Sequence, residues 1–134
     1  MALTAEDRAL LRQGIALLRQ GDYFGAHDAW EEVWRHLRGR QRLFWQAMIQ
    51  LAVGAHHCQH GNLTGCRSVW HKALAKCDAL GQQYAHEVPS PLLHLTALLA
   101  DCLEAVARGE DPLPRVQRFA ACELDDAWLD VGEP

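Results

Sequence analysis

A histidine and a glutamate stand four residues apart near the start of the chain, at His27 and Glu31. On a helix this spacing places both side chains on one face. An imidazole and a carboxylate one turn apart can chelate a divalent metal ion or act as an oriented acid–base pair. The same two residues could equally form a structural pair on the helix surface or in the core.

A second set of polar side chains lies on the next predicted helix, which is otherwise apolar nearly all round. At roughly 100° per residue, Gln46, Gln50 and His57 fall within about 40° of one another and form one stripe on a buried helix. Buried amides need hydrogen-bond partners. Because the neighbouring antiparallel helix offers His27 and Glu31, we predict that the two sets form one polar cluster.

Aromatic residues accompany this cluster and favour a binding site. A few polar groups beside aromatic walls are typical of a pocket for a small molecule or a metal. A network of buried side chains could instead fix the register of the two helices. The predicted binding cluster consists of His27, Glu31, Gln46, Gln50, His57, Trp30, Trp34 and Tyr23, with His27 and Glu31 as the candidate ligands of a divalent metal ion.

A second histidine pair, His56 and His60, is spaced for the last turn of the same helix. Two imidazoles one turn apart could bind a divalent ion. Positive rings also complement the dipole at this end of a helix, and we expect this capping role. The motif HEXXH is absent, because Asp28 and Ala29 follow His27, so a protease of the zincin type is not supported.

Charged residues give no indication of a nucleic-acid partner. Arginines crowd the turn between the second and third predicted helices, where we expect a solvated turn rather than a phosphate site. The last fourteen residues carry five acidic side chains and no basic one, which leaves the remainder with a net charge of +1. Without a global positive field, nucleic acid is not an expected partner. The arginines are Arg35, Arg38, Arg40 and Arg42.

Helical signals define the elements that must position these residues. Apolar residues recur with helical spacing, and Pro112 and Pro114 discourage an immediate continuation of the fifth helix. We predict an all-α protein whose second to fifth helices run over 23–36, 41–60, 62–80 and 90–108. The predicted helix starts are Thr4 with Asp7, Asp22, Asn62, and Ser90 with Pro91.

An internal repeat supports this architecture. Gly21–Ala26 aligns with Gly61–Cys66 at an offset of 40 residues, and Trp30 falls on Trp70. Each unit is a helix, a tight turn and a second helix with a tryptophan, and the first is similar to half of a tetratricopeptide unit. Because only two units are present, we predict a compact bundle of about five helices, built from two hairpins plus a capping helix.

Composition indicates an ordinary globular protein. The 134 residues are 49% hydrophobic and 22% charged, which suits an all-helical domain over 1–110 and an acidic extension, 111–134, packed on the body or on a partner.

No run of 18 apolar residues and no signal pattern occur, so we expect a cytoplasmic protein without a membrane span. Five cysteines without CxxC spacing indicate buried free thiols. A homodimer is compatible with this size.

The residues of the polar cluster also carry a family resemblance, which spans roughly residues 5–80. The pattern is Gly21-x-Tyr23-Phe24-x-Ala26-His27-x-x-Trp30-Glu31-x-x-Trp34, then Gln46-x-x-x-Gln50-Leu51-Ala52 and Gly61-Asn62. It resembles the small bacterial and archaeal family named domain of unknown function number 309. The resemblance implies a compact all-helical protein without an established activity, and it marks His27, Glu31, Gln46 and Gln50 as signature positions. The family reads EAHE around the histidine; here Gly25 and Asp28 stand in the acidic positions, so one carboxylate is lost.

Two classes of function fit these observations. A non-enzymatic binding module would present an aromatic-lined groove to a small molecule or a protein partner. A small metal-dependent enzyme, for example a hydrolase, would use His27 and Glu31 as metal ligand or general base. A purely structural cluster is the third interpretation, in which loss of His27 mainly lowers the melting temperature. We favour the binding module.

Overall fold

The computed structural model describes residues 3–133. Met1 and Ala2 of the predicted domain over 1–110, and Pro134 of the predicted extension over 111–134, lie outside the described residues. Throughout that range the secondary structure is helical and no strand is present, which confirms the all-α prediction. The helices are α1 (Ala5–Arg19), α2 (Tyr23–Trp34), α3 (Gly39–Gln59), α4 (Leu63–Gly81), α5 (Ser90–Ala107) and α6 (Leu113–Cys122), followed by a short 3₁₀ helix (Asp126–Asp130).

Side-chain caps begin the helices where the sequence predicted them. The Thr4 hydroxyl accepts the Asp7 backbone N–H at 3.0 Å, and the Asp7 carboxylate accepts the Thr4 N–H at 3.0 Å. Asp22 and Asn62 cap α2 and α4 by accepting backbone N–H groups three residues further on. The fifth start was predicted one residue late, because Pro89 is the cap residue and Ser90 is already helical.

The described residues form six α-helices where about five were predicted, since α6 begins at the two prolines that were expected to stop α5 from continuing. Pro112 is the N-cap residue and Pro114 lies in the first turn of α6. The first backbone N–H groups of a helix have no carbonyl partner within it, so proline loses nothing at these positions. The same prolines thus start a helix rather than prevent one.

Consecutive helices pack side by side, from α1 against α2 through to α4 against α5. The pairs α1–α2 and α3–α4 each consist of two consecutive helices in contact, and we call these pairs the two hairpins. The C-terminal segment then returns, with α6 in contact with α1, α3 and α5, and the 3₁₀ helix in contact with α1. The molecule is a compact helical bundle in which the first, third and fifth helices share a covering segment.

The 40-residue repeat is visible in the core. The indole Nε1 of Trp30 donates to the Leu11 carbonyl at 3.0 Å, and that of Trp70 donates to the Leu51 carbonyl at 3.0 Å. Each indole lies against a mid-helix glycine, Gly14 or Gly54, where no Cβ would fit. The glycine and leucine pairs are also 40 residues apart, and they extend the sequence repeat into the first helix of each hairpin.

The C-terminal segment contributes side chains to the core. Phe119, Trp128 and Leu129 are buried, and the Trp128 ring packs edge-on against Phe119 with 5.1 Å between ring centroids. Two acidic side chains of the 3₁₀ helix, Asp126 and Asp130, pair with arginines of α1. The predicted boundary at residue 110 stays a prediction, but the described part of the extension lies on the body.

Helix α5 is long and apolar enough, by length and composition alone, to cross a membrane. Four of its larger side chains, Leu92, Leu95, Leu99 and Cys102, are buried in the bundle. A core helix of a helical bundle has the same length and composition, so this feature is weak evidence for a membrane span.

Candidate functional site

A surface groove of about 210 Å³ runs between α2 and α3, and we call it the α2–α3 groove. Glu31 and Trp34 line it from α2, and Gln46, Ile49 and Gln50 line it from α3. Four of the eight side chains in the predicted cluster therefore meet at one place. The buried Ile49 adds an apolar floor that the sequence did not single out.

The side-chain oxygen of Gln50 gives the groove its clearest chemical feature. Gln50 Oε1 is buried and accepts no hydrogen bond from any described residue. A buried acceptor without a donor destabilises the folded protein, typically by about 1–3 kcal/mol. A donor from outside the chain, either water or a ligand, therefore has a place to bind here.

His27 lies beside the groove, between two carboxylates. Its Nε2 atom is 2.8 Å from a carboxylate oxygen of Glu31, and its Nδ1 atom is 3.2 Å from an oxygen of Asp28. The side chain is only 20% exposed, and Nδ1 has no partner in good hydrogen-bond geometry. The predicted one-turn contact between His27 and Glu31 is thus present.

This arrangement supplies two neighbouring metal ligands but no third. Within residues 3–133, no group of three or more His, Cys, Asp and Glu side chains is arranged to hold a metal ion. Zinc sites in proteins usually have at least three protein ligands. His27 and Glu31 could hold a divalent metal ion only together with water or ligand atoms.

Trp34 forms a fixed wall of the groove. Its Nε1 donates to the Arg42 carbonyl at 3.1 Å, and the Arg42 guanidinium lies 3.8 Å from the centre of the indole ring. Arg42 also donates to the Trp34 backbone carbonyl at 3.1 Å. Arg42 therefore contacts both the indole ring and the backbone carbonyl of Trp34 and holds the ring in one orientation. This side of the groove is preformed before a ligand binds.

Besides His27, three members of the predicted cluster do not line the groove. Trp30 is fully buried against Leu11. Tyr23 is buried towards α6, where its hydroxyl accepts a hydrogen bond from Gln117 at 2.7 Å, and burial raises its pKa. His57 lies near the end of α3, where its Nδ1 is 3.3 Å from the Asn62 amide nitrogen.

A group of histidines surrounds an exposed aromatic ring at the end of α3. Phe24 is 53% exposed, and its ring centroid is 5.4 Å from those of His27 and His56. The His60 ring lies 4.3 Å from that of His56. Partial burial, followed by the nearby His60 and His57, lowers the pKa of His56. Phe24 was not predicted as a site residue, although an aromatic residue on the polar face of α2 was the available signal.

The arginines near the α2–α3 turn are engaged by the protein itself. Arg38 donates to the Leu37 carbonyl at 2.9 Å. Arg40 donates to the Gln83 carbonyl at 3.1 Å and lies over the Tyr84 ring. These contacts satisfy one carbonyl group in the α2–α3 connection and one in the α4–α5 connection, which favours a structural turn over a phosphate site.

The thiols differ in accessibility, and no disulfide links them. Burial raises the pKa of Cys66 to about 12, of Cys77 to about 11 and of Cys102 to about 12. Cys58 is half-buried and Cys122 is exposed, so the expectation that all five are buried is wrong for Cys122.

The fold and the groove define a class: a small all-helical protein with a polar, partly aromatic groove. The model of the family described as Domain of unknown function (DUF309) matches residues 11–69, in agreement with the predicted resemblance. This segment extends from α1 into α4 and includes all the residues that line the α2–α3 groove. Comparison with curated proteins and with solved structures gave no match.

Proposed function

We propose that the protein is a binding module and that the α2–α3 groove is its site for a small molecule or for a side chain of a protein partner. The observation that carries this proposal is the buried, unpartnered Oε1 of Gln50 beside that groove. A ligand that donates a hydrogen bond would satisfy this atom. The loss of water from a preformed groove then favours binding.

The lining residues indicate the ligand chemistry. The Glu31 carboxylate and the two glutamine carbonyls are acceptors, while Trp34 and Ile49 offer apolar surface. A suitable ligand would therefore carry N–H or O–H donors on a short apolar body. The groove volume of about 210 Å³ suits a small molecule or one side chain rather than a large cofactor.

The test is a ligand titration followed by NMR of backbone amides, with a panel of small primary amines, amidines and alcohols. Bound compounds should shift the amides of the residues that line the groove. Gln50→Met removes the acceptor and retains the size of the side chain, and we expect it to weaken binding by about tenfold. Gln13→Met, at an exposed position on α1, is the matched control and should bind like the wild type.

Two results would contradict this proposal. Bound compounds could shift amides remote from the groove, or Gln50→Met could bind them as well as the wild type. Gln50→Met should also leave the unliganded protein as stable as the wild type or more stable, because it removes a buried acceptor that has no partner. A large loss of stability would instead favour the structural interpretation of the cluster.

A metal-dependent enzyme is the second candidate, favoured by the 2.8 Å contact between His27 Nε2 and Glu31. Elemental analysis of tag-free protein beside the His27→Ala variant tests it. Near-stoichiometric divalent metal that disappears in the variant would favour a hydrolase and justify a substrate screen. Protein without metal in both samples, with a lower melting temperature for His27→Ala, would indicate a structural pair.

We also propose that the two hairpins are a shortened tetratricopeptide-like pair. We further propose that the protein is a homodimer in the cytoplasm and that it has no membrane or nucleic-acid partner. The repeated Trp–Leu hydrogen bond supports the hairpin pair. The near-neutral body is the argument against nucleic acid. The dimer is compatible with the small size of the chain. Light scattering coupled to size-exclusion chromatography tests the dimer. A mass equal to the 15.0 kDa of one chain would contradict it.

A further inference from the structure

We propose that His56 and His60 form a binding site for a divalent transition-metal ion, such as Zn²⁺, Ni²⁺ or Cu²⁺, at the C-terminal end of α3. The two residues are one helical turn apart and their ring centroids are 4.3 Å apart. Imidazole pairs at this spacing on one helix face are established metal ligands. The site is separate from the α2–α3 groove and does not depend on the proposed function.

The hydrogen bond made by His60 leaves one ring nitrogen for a metal. His60 Nδ1 is 2.9 Å from the backbone carbonyl oxygen of His56. A carbonyl only accepts, so Nδ1 carries the proton and Nε2 keeps its lone pair. Histidine ligands in metal sites commonly donate their other ring N–H to a carbonyl in this way, which fixes the tautomer and orients the ring.

The neighbours of the pair favour a cation and fix the second ring. Backbone carbonyls at the end of α3 create partial negative charge, which a bound cation would complement. The Phe24 ring packs 5.4 Å from His56 and restricts its orientation. His57 Nδ1 is engaged by the Asn62 side chain instead. Since His60 is exposed, water can fill the remaining coordination positions.

The internal repeat sets this pair apart from the rest of the scaffold. The equivalent positions of the first hairpin, 40 residues earlier, hold Ala16 and Gln20. The histidines are therefore not required by the hairpin architecture. Nitrogen ligands select late transition metals over Mg²⁺ and Ca²⁺, which prefer oxygen.

The experiment is calorimetric titration of tag-free protein with NiCl₂, ZnCl₂ and MgCl₂ near neutral pH. We expect one Ni²⁺ or Zn²⁺ ion per chain and no Mg²⁺. His56→Gln and His60→Gln should each weaken binding by about tenfold or more. His71→Gln, which replaces an exposed histidine on α4, is the matched control and should retain wild-type affinity.

A second measurement does not depend on the folding of any variant. Substoichiometric Cu²⁺ is paramagnetic, so the ring proton signals of His56 and His60 in the wild type should broaden before those of His71 and His94. The proposal is overturned if the wild type shows neither heat nor selective broadening. It is also overturned if His56→Gln and His60→Gln bind like the wild type, or if His27→Gln alone removes the metal.

Discussion

The indole of Trp30 lies against Gly14 so closely that no side chain at position 14 would fit without displacing the ring. Trp70 packs against Gly54 in the same way. Both indoles are fully buried, and each donates to a leucine carbonyl on the glycine's own helix. The repeat is therefore defined by one packing unit of tryptophan, glycine and leucine.

Gly14→Ala should destabilise the protein by about 1–3 kcal/mol, because the added methyl group overpacks a rigid, buried ring. Gly54→Ala should have a similar effect. Gly81→Ala is the matched control, since nothing lies within 4 Å of a Cβ at that position. Urea unfolding measures the free energies of unfolding, and equal stability of Gly14→Ala and Gly81→Ala would contradict the packing unit.

Asp7 should make the stability depend on pH in the acidic range. Burial by itself raises the pKa of this carboxyl, but hydrogen bonds from Thr4 and the contact with His36 outweigh it, and the pKa lies below 3.8. A lowered pKa in the folded state stabilises the protein above the unfolded-state pKa, and this contribution is lost as pH falls through the folded-state pKa.

Asp7→Asn isolates this effect, because it removes the charge and keeps an acceptor oxygen for Thr4. We expect the wild type to be more stable than the variant above about pH 5, with a difference that shrinks at lower pH. Urea unfolding at a series of pH values measures it. A stability difference that stays constant down to pH 2 would show that the charge of Asp7 has no such role.

The C-terminal segment should be held by its apolar side chains more than by its ion pairs. Trp128 is buried between Phe44 and Phe119, and Trp128→Ala should cost about 3–5 kcal/mol of unfolding free energy. The ion pair of Asp126 with Arg12 is exposed, so Asp126→Asn should leave the stability unchanged within error. If the two variants lost stability equally, charge rather than burial would hold the segment.

Cys122 should be the thiol that reacts first with a maleimide under native conditions. The raised pKa values of Cys66, Cys77 and Cys102 leave almost no thiolate near neutral pH, and burial blocks access. Labelling followed by peptide mass analysis measures each rate. Cys122→Ser should remove the fast phase, whereas a fast phase that remains would place another cysteine at the surface.

Local features of the fold were predictable from sequence. The caps at Asp22 and Asn62 depend on contacts three residues away, which a sequence pattern contains. The prediction failed at α6, because a proline pair is compatible with both a helix start and a helix break. Whether a helix forms after the prolines depends on whether the apolar residues that follow, such as Phe119, can pack against the rest of the protein.

Four of the eight predicted site residues line the groove, and geometry explains why the others do not. A helical wheel places His57 beside Gln46, but eleven residues along a helix separate them by about 16 Å, which is beyond the reach of one cluster. Trp30 and Trp34 are also close on the wheel, yet the first enters the core and the second borders the groove. That difference arises from Gly14, whose missing side chain admits one indole, and not from the pattern of α2 itself.

The return of α6 over α1, α3 and α5 has a consequence for cooperativity. In an open array of hairpins each unit contacts only its neighbours, so units can unfold one after another. Here α1, α3 and α5 share one covering segment, and Arg8 pairs with Asp130, 122 residues further along the chain. No hairpin can open without exposing apolar surface on that segment. We therefore expect the two similar units to unfold together, in a single two-state transition.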